Sequence, residues 1–251
     1  MTELTGKTAL VVGASKGLGR GIALAFDTAG APVVAVARDA TALTELAAAG
    51  RDIRVEVADA AHEKVAGELI GRHDPDILVL VAGAVPLGLP LQEHTWETFS
   101  MHWDADVKIA FGWLKAALLA PLRPGSRVVV VSSGAALFGS PASGGYAGAK
   151  ATQRFIAGYA AEESQRAGLG ITVTAVLPSM TPFGAVGRSG IQAYSARSGK
   201  SADEFRQGMG ELLTPEVAGS ALVDLVLRDP GSVAPSYMLN AGGLRDLPVP
   251  S

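Results

Sequence analysis

The sequence predicts one α/β domain, doubly wound, with a seven-stranded parallel sheet and helices on both faces. Three observations lead there. Short apolar runs alternate with helix-like stretches along the chain. The runs are near-continuous Val, Ile, Leu and Ala, the pattern of strands covered on both faces. A glycine-rich turn joins the first strand to the first helix.

Taken in order, strand Thr8–Val12 runs into the turn and helix Leu18–Ala29 leaves it. Strand Val33–Ala37 is wholly apolar, and Asp39 is placed to cap the helix Ala40–Ala49 that follows. Strand Ile53–Val57, helix Ala61–Arg72 and the aliphatic strand Ile77–Ala82 continue the alternation. Then come one long helix Thr95–Leu119, strand Arg127–Ser132, helix Tyr146–Ala167 and strand Ile171–Leu177. Helix Pro215–Leu227 and strand Ser232–Leu239 complete the set. No linker or repeat divides the chain, so a single domain over 1–251 is expected. The segment Ser179–Leu213, rich in Gly, Ser and Met, breaks the rhythm. A long connection inside a compact domain is usually a functional lid, so a substrate loop is expected at 179–213.

Composition excludes several classes. With 251 residues, 48% apolar and a mean hydropathy of +0.29, the chain has ample material for a core. At 18% charged residues it lacks the high charge of a disordered segment. A net charge of -3, with no block of like charges, argues against a nucleic-acid partner. The absence of cysteine removes disulfides, thiolate nucleophiles and Cys-ligated zinc. The four histidines, His62, His73, His94 and His102, show no metal spacing, and are expected to be surface or partly buried residues. Trp96, Trp103 and Trp113 are expected to pack in the core or a subunit contact. Met1–Lys7 is polar and acidic, unlike a signal peptide, and the aliphatic runs Ile77–Ala82 and Val128–Val131 are too short to span a bilayer. A soluble cytoplasmic protein without membrane association is expected.

The turn reads Gly13-Ala14-Ser15-Lys16-Gly17-Leu18-Gly19. Glycines there let the backbone approach a pyrophosphate, and the helix start beyond offers free N–H groups. Its G-x-x-x-G-x-G spacing differs from the usual dinucleotide fingerprint, and a plain strand-to-helix turn is the bland alternative. Gly13–Gly17 also reads G-x-S-x-G, the nucleophile elbow of serine hydrolases. That chemistry needs a histidine after its acid, and no histidine follows His102.

The second informative stretch ends a buried strand in Ser132 and Ser133, where open α/β sheets hold ligands. Tyr146 and Lys150 follow at i and i+4 near a helix start, on one face. A neighbouring ammonium favours the phenolate, so such a tyrosine can exchange a proton with an alcohol oxygen while hydride moves. A serine hydroxyl beside it can hold the carbonyl oxygen.

With these residues the sequence resembles the short-chain dehydrogenase/reductase family over essentially the whole chain. Gly13, Gly17 and Gly19 match its T-G-x-x-x-G-x-G turn, with Val12 for the Thr. Ser133, Tyr146 and Lys150 match its Ser and Y-x-x-x-K. Ala82-Gly83 matches the end of N-N-A-G, whose asparagines are Leu80 and Val81 here. Asp59 matches the adenine-contacting Asp, Pro178 opens the P-G motif, read here as Pro178-Ser179, and Thr181-Pro182 follows closely. Asp106 stands where the family carries a fourth catalytic residue, an Asn. The resemblance implies a Rossmann-like fold and NAD(P)(H)-dependent interconversion of an alcohol and a carbonyl. Tyr146 is the implied acid/base, Lys150 the group that tunes it and binds the nicotinamide ribose, and Ser133 the group that orients the substrate. Asp106 is the implied holder of a relay water. The implied cofactor contacts are Gly13, Ser15, Lys16, Gly17, Leu18, Gly19, Arg38, Asp59, Ala60, Ala82, Gly83, Tyr146, Lys150, Pro178 and Thr181. A homo-oligomer, dimer or tetramer, packed through the two long central helices is also implied.

Arg38, just after the second strand, and Lys16 favour the 2′-phosphate of NADP(H) over NAD(H), with Asp39 as the complication. The candidate substrate pocket, Leu87, Leu89, Phe138, Ser143, Met180, Phe183, Tyr194 and Met209, is mainly apolar, which points to an apolar or aromatic ketone. The alternative from another class is a nucleotide-binding regulatory protein with weak or no catalysis.

Overall fold

The computed structural model describes residues 3–247; residues 1–2 and 248–251, which the expected domain also takes in, lie outside the described residues. Eight strands form one sheet: β1 Ala9–Val12, β2 Val33–Ala37, β3 Ile53–Val57, β4 Ile77–Leu80, β5 Arg127–Val131, β6 Thr172–Pro178, β7 Ser236–Asn240 and β8 Gly243–Leu247. Their order is β3-β2-β1-β4-β5-β6-β7-β8. The chain crosses from one half of the sheet to the other between β1 and β4, the switch point at which open sheets bind ligands. The first seven strands are parallel, as expected, and the eighth corrects the count. It returns antiparallel to β7 through a tight turn between Asn240 and Gly243. Its sequence, Gly-Leu-Arg-Asp-Leu, lies at a sheet edge and lacks the apolar run that marks a covered strand.

The helices are α1 Gly17–Thr28, α2 Ala40–Ala49, α3 Val65–His73, α4 Trp96–His102, α5 Lys108–Leu119, α6 Ala135–Phe138, α7 Tyr146–Arg166, α8 Ala185–Arg197, α9 Ala202–Gln207 and α10 Pro215–Leu227. Alternate residues of the central strands feed two apolar layers. Val11, Ala35, Val79 and Val129 pack under α1, α2 and α10. Leu10, Val34, Leu78 and Val130 pack under α3, α5 and α7. This two-sided burial is what the unbroken Val/Ile/Leu runs encode. Strand β3 departs from it: as the other edge it leaves Val55 and Val57 exposed.

Two expectations need correction. The long helix Thr95–Leu119 is interrupted by a π turn at Trp103–Val107, which separates α4 from α5. Such single-turn insertions are frequent at functional sites. The 179–213 segment carries two helices, α8 and α9, that the Gly/Ser composition hid. Its base is clasped where Thr181 Oγ1 donates to Leu213 O (2.6 Å). It is tied across to the body where Ser189 Oγ donates to Pro86 O and Tyr194 Oη meets Ser140 Oγ.

Candidate active site

The first wall of the site is the glycine turn. Gly13 has φ +96°, and a Cβ there would meet the Ala82 backbone at 2.5 Å. Any side chain would therefore push the turn away from the end of β4. Gly17 has φ +54° and faces Gly184 at the start of the 179–213 segment. The turn is thus a tight backbone cradle, ending in α1, whose first N–H groups have no partner within the helix.

The second wall is built by β5 and α7. Ser132 Oγ is buried and donates to Lys150 O (2.7 Å), which ties the strand end to the second turn of α7. Ser133 Oγ accepts from Ala135 N (3.2 Å), so its own proton is left for another partner. Of the two strand-end serines, Ser132 is structural and Ser133 is available. Tyr146 opens α7, and its hydroxyl has no hydrogen-bond partner among the described residues. Lys150 Nζ lies 5.5 Å from the centre of the Tyr146 ring.

Behind Lys150 sits a buried cluster. Asp106, on the π turn, is fully buried, and its Oδ1 lies 2.8 Å from Lys150 Nζ. That contact is chiefly an ion pair, since Oδ1 receives no well-aligned hydrogen bond. Its Oδ2 accepts from Ala84 N (3.0 Å) and meets His102 Nδ1 (3.0 Å). Lys150 Nζ donates to Gln153 Oε1 (2.9 Å), and Gln153 Nε2 donates to Asp106 O (2.8 Å). Burial alone would push the Asp106 carboxyl up; the close charge of Lys150 and the hydrogen bonds from His102 and Ala84 outweigh it and bring it to about 2. Burial likewise pushes Lys150 down, and the charge of Asp106, then that of Tyr146, reverse this, so Lys150 is raised. Asp106 therefore meets Lys150 directly. A Cβ on Gly83 would collide with the Asp106 carboxylate, which gives that glycine its reason.

A single cleft of about 1040 Å³ joins the two walls. All the expected cofactor and catalytic positions line it: Gly13, Ser15, Lys16, Gly17, Leu18, Gly19, Arg38, Asp59, Ala60, Ala82, Gly83, Asp106, Ser133, Tyr146, Lys150, Pro178 and Thr181. Asp39 caps α2 through Ala42 N (3.0 Å) and also binds Lys16 Nζ (2.7 Å). Arg38 is exposed and makes no hydrogen bond or ion pair among the described residues. Of the substrate-pocket candidates, Phe138, Ser143, Met180 and Tyr194 line the cleft, while Leu87, Leu89, Phe183 and Met209 do not; Val85 and Pro86 line it instead.

Three residues escaped sequence reasoning. His102 is buried, not superficial, and its ring meets Tyr146 edge-on at 5.1 Å between centres. Gln153 carried no signal except its place one helical turn after Lys150. Ala84 acts through its backbone alone. Trp113 is a core residue that donates to Ala60 O, whereas Trp96 is largely exposed.

Residues 7–191 match the family model described as short chain dehydrogenase. The chain belongs to the short-chain dehydrogenase family. It is 39% identical over 108 residues to 2-keto-3-deoxy-L-fuconate dehydrogenase of Xanthomonas campestris pv. campestris, covering 41% of this chain and 36% of that one. It is 34% identical over 105 residues to L-xylulose reductase of Mesocricetus auratus, covering 42% and 43%. With 3-oxoacyl-[acyl-carrier-protein] reductase FabG of Rickettsia prowazekii it shares 30% over 181 residues, covering 71% and 74%. The chain thus spans less than half the length of the first two relatives. A crystal structure of a short chain dehydrogenase from Mycobacterium avium has the same fold, with a TM-score of 0.79 over 100% of this chain and 87% of that one, at 23% identity. The family binds NAD(P)(H), and the glycine cradle, the helix start and the length of the cleft in this short-chain dehydrogenase fit such a group. No described helix is long and apolar enough to cross a membrane.

Proposed function

We propose that this short-chain dehydrogenase interconverts an alcohol and a carbonyl with NADP(H), chiefly as a reductase of an apolar ketone. The observation that carries the reading is the continuity of the cleft from the glycine turn to Ser133, Tyr146 and Lys150. A bound nicotinamide cofactor would supply the hydride to the carbonyl carbon, or accept it from the alcohol. Tyr146 gives its hydroxyl proton to the carbonyl oxygen, or takes it back from the alcohol. Ser133, with its proton uncommitted, donates to the same oxygen as negative charge develops there. The Lys150 ammonium supports the phenolate left behind and would hold the nicotinamide ribose of a bound cofactor.

NADP(H) is favoured because Arg38, exposed and without a hydrogen bond or ion pair among the described residues, lines the cleft just after β2 together with Lys16, where the pair would hold a 2′-phosphate. The substrate reading rests on Val85, Phe138 and Met180 around the mouth. The clasped 179–213 segment acts as the substrate lid. A homodimer or homotetramer is supported by Phe111 and Leu119 of α5 and Phe155 and Tyr159 of α7, all exposed. The protein works in the cytoplasm.

The test is turnover of NADPH with a panel of apolar, charged and sugar carbonyls. Activity on apolar ketones that falls at least about 10³-fold in Tyr146→Phe, while NADPH still quenches tryptophan fluorescence, supports the reading. Binding without turnover on any carbonyl would favour a regulatory role. Turnover only of charged or sugar substrates would refute the substrate class.

A further inference from the structure

The cluster behind Lys150 holds a full negative charge where a neutral side chain would satisfy the same hydrogen bonds. We infer that Asp106 is a positioning residue that anchors Lys150 and offsets its charge beside Tyr146, so that the site is set to give a proton and the enzyme is biased toward carbonyl reduction. This rests on the reading of Tyr146 as the acid/base.

The geometry carries it. The Asp106 and Lys150 side chains are no more than 6% exposed and meet at 2.8 Å. The other carboxylate oxygen is pinned by Ala84 N and His102 Nδ1, so the charge cannot swing away. Gln153 locks the pair from the side, bridging the ammonium and the Asp106 carbonyl. Coulomb energy falls only as the inverse of distance. An anion 2.8 Å from a cation that is itself 5.5 Å from the Tyr146 ring therefore cancels more than half of that cation's electrostatic potential at the ring. The depressed carboxyl of Asp106 agrees, since it stays ionised throughout the working pH range.

The other titratable groups are few. His102 of α4 touches both Asp106 and the Tyr146 ring. Asp104, on the same π turn, lines the cleft and is exposed. Tyr194 of α8 is held by Ser140, and His94 sits against Gly144 just before α7. None of these is a lysine or arginine that replaces the charge Asp106 offsets.

The experiment compares pH profiles of alcohol oxidation for the wild type, Asp106→Asn and Asp106→Ser. A second readout without turnover is the tyrosinate absorbance step that Tyr146→Phe removes. In both neutral variants the half-maximal pH of oxidation and that step should move down together by about one unit. The ratio of oxidation to reduction rates at neutral pH should rise by about tenfold. Gln153→Leu, which cuts the same network without changing charge, should lower kcat and leave the midpoint within about 0.3 unit. Midpoints that stay put or move up in a folded neutral variant overturn the inference. So does failure of both neutral variants to fold, which would make the carboxylate a structural requirement only. If instead Tyr146→Phe retains turnover, the acid/base reading itself falls.

Discussion

Two lysine–aspartate pairs of nearly equal length stand at opposite ends of the cleft. Lys16 and Asp39 meet at 2.7 Å beside the glycine turn, with side chains 70% and 40% exposed. Lys150 and Asp106 meet at 2.8 Å at the catalytic end, with side chains 6% and 0% exposed. The contact is the same, and the surroundings decide what it does. In water, the pair is screened by salt and solvent, contributes little to stability, and yields to a competing anion. Away from water, neither charge can lose its partner cheaply. The exposed pair is therefore free to rearrange, and the buried pair is a fixed element of the cleft's electrostatics.

The largest effect comes from breaking the buried pair. Lys150→Ala strands Asp106 with only the His102 and Ala84 hydrogen bonds, and should cost about 3–5 kcal/mol of stability. Lys16→Ala should leave the melting temperature nearly unchanged. Thermal or urea melts of the two variants side by side check this; equal losses would break the contrast. The sign with pH follows from the shifts. Asp106 is depressed when folded, so its contribution is present above the ordinary carboxylate value near 3.9 and is lost as pH falls toward about 2. Lys150 is raised, so its contribution is full below its ordinary value and is lost only as pH climbs past its folded one. The gap between wild type and Lys150→Ala should hold across neutral pH and close in acid.

The same contrast separates what the sequence made legible from what it hid. The glycine turn is a local backbone shape, and Gly13 and Gly17 announce it because few other residues tolerate those angles and contacts. The parallel strands announce themselves through burial on both faces. Ser133, Tyr146 and Lys150 could be read because one strand end and one helical turn bring them together. The cluster around Asp106 could not. It gathers residues 84, 102, 106, 150 and 153 from three separate stretches of chain, through a π turn that the continuous helical pattern of 95–119 concealed. His102 looked like any surface histidine because its burial depends on that turn and on the packing of α7. Strand β8 was missed because a charged edge strand carries no apolar run.

In the proposed NADP(H) reading the decisive charge is Arg38, which makes no hydrogen bond or ion pair among the described residues. Arg38→Asp should weaken NADPH binding by about 100-fold, and NADH binding by only a few-fold, because a planar donor fork is lost only to the phosphate-bearing cofactor. Fluorescence titration with each cofactor measures both. Equal losses would mean that Arg38 holds the fold of the loop and does not read the phosphate.

The smallest effect sharpens the comparison most. Asp39 plays two parts, capping α2 and holding Lys16, and Lys16 chiefly holds its carboxyl below the usual range. Asp39→Asn keeps a capping oxygen for Ala42 and frees Lys16 from its anion. If the exposed pair is adjustable, the freed Lys16 turns to the 2′-phosphate, and NADPH binds about threefold tighter at low ionic strength. The gain should vanish near 1 M salt, where the screening length is about 3 Å. The buried pair predicts the reverse: the pH midpoint set by Asp106 should hardly move with salt, because counterions do not reach it. A salt-sensitive midpoint at Asp106 would place that charge in contact with solvent and erase the distinction between the two ends of the cleft.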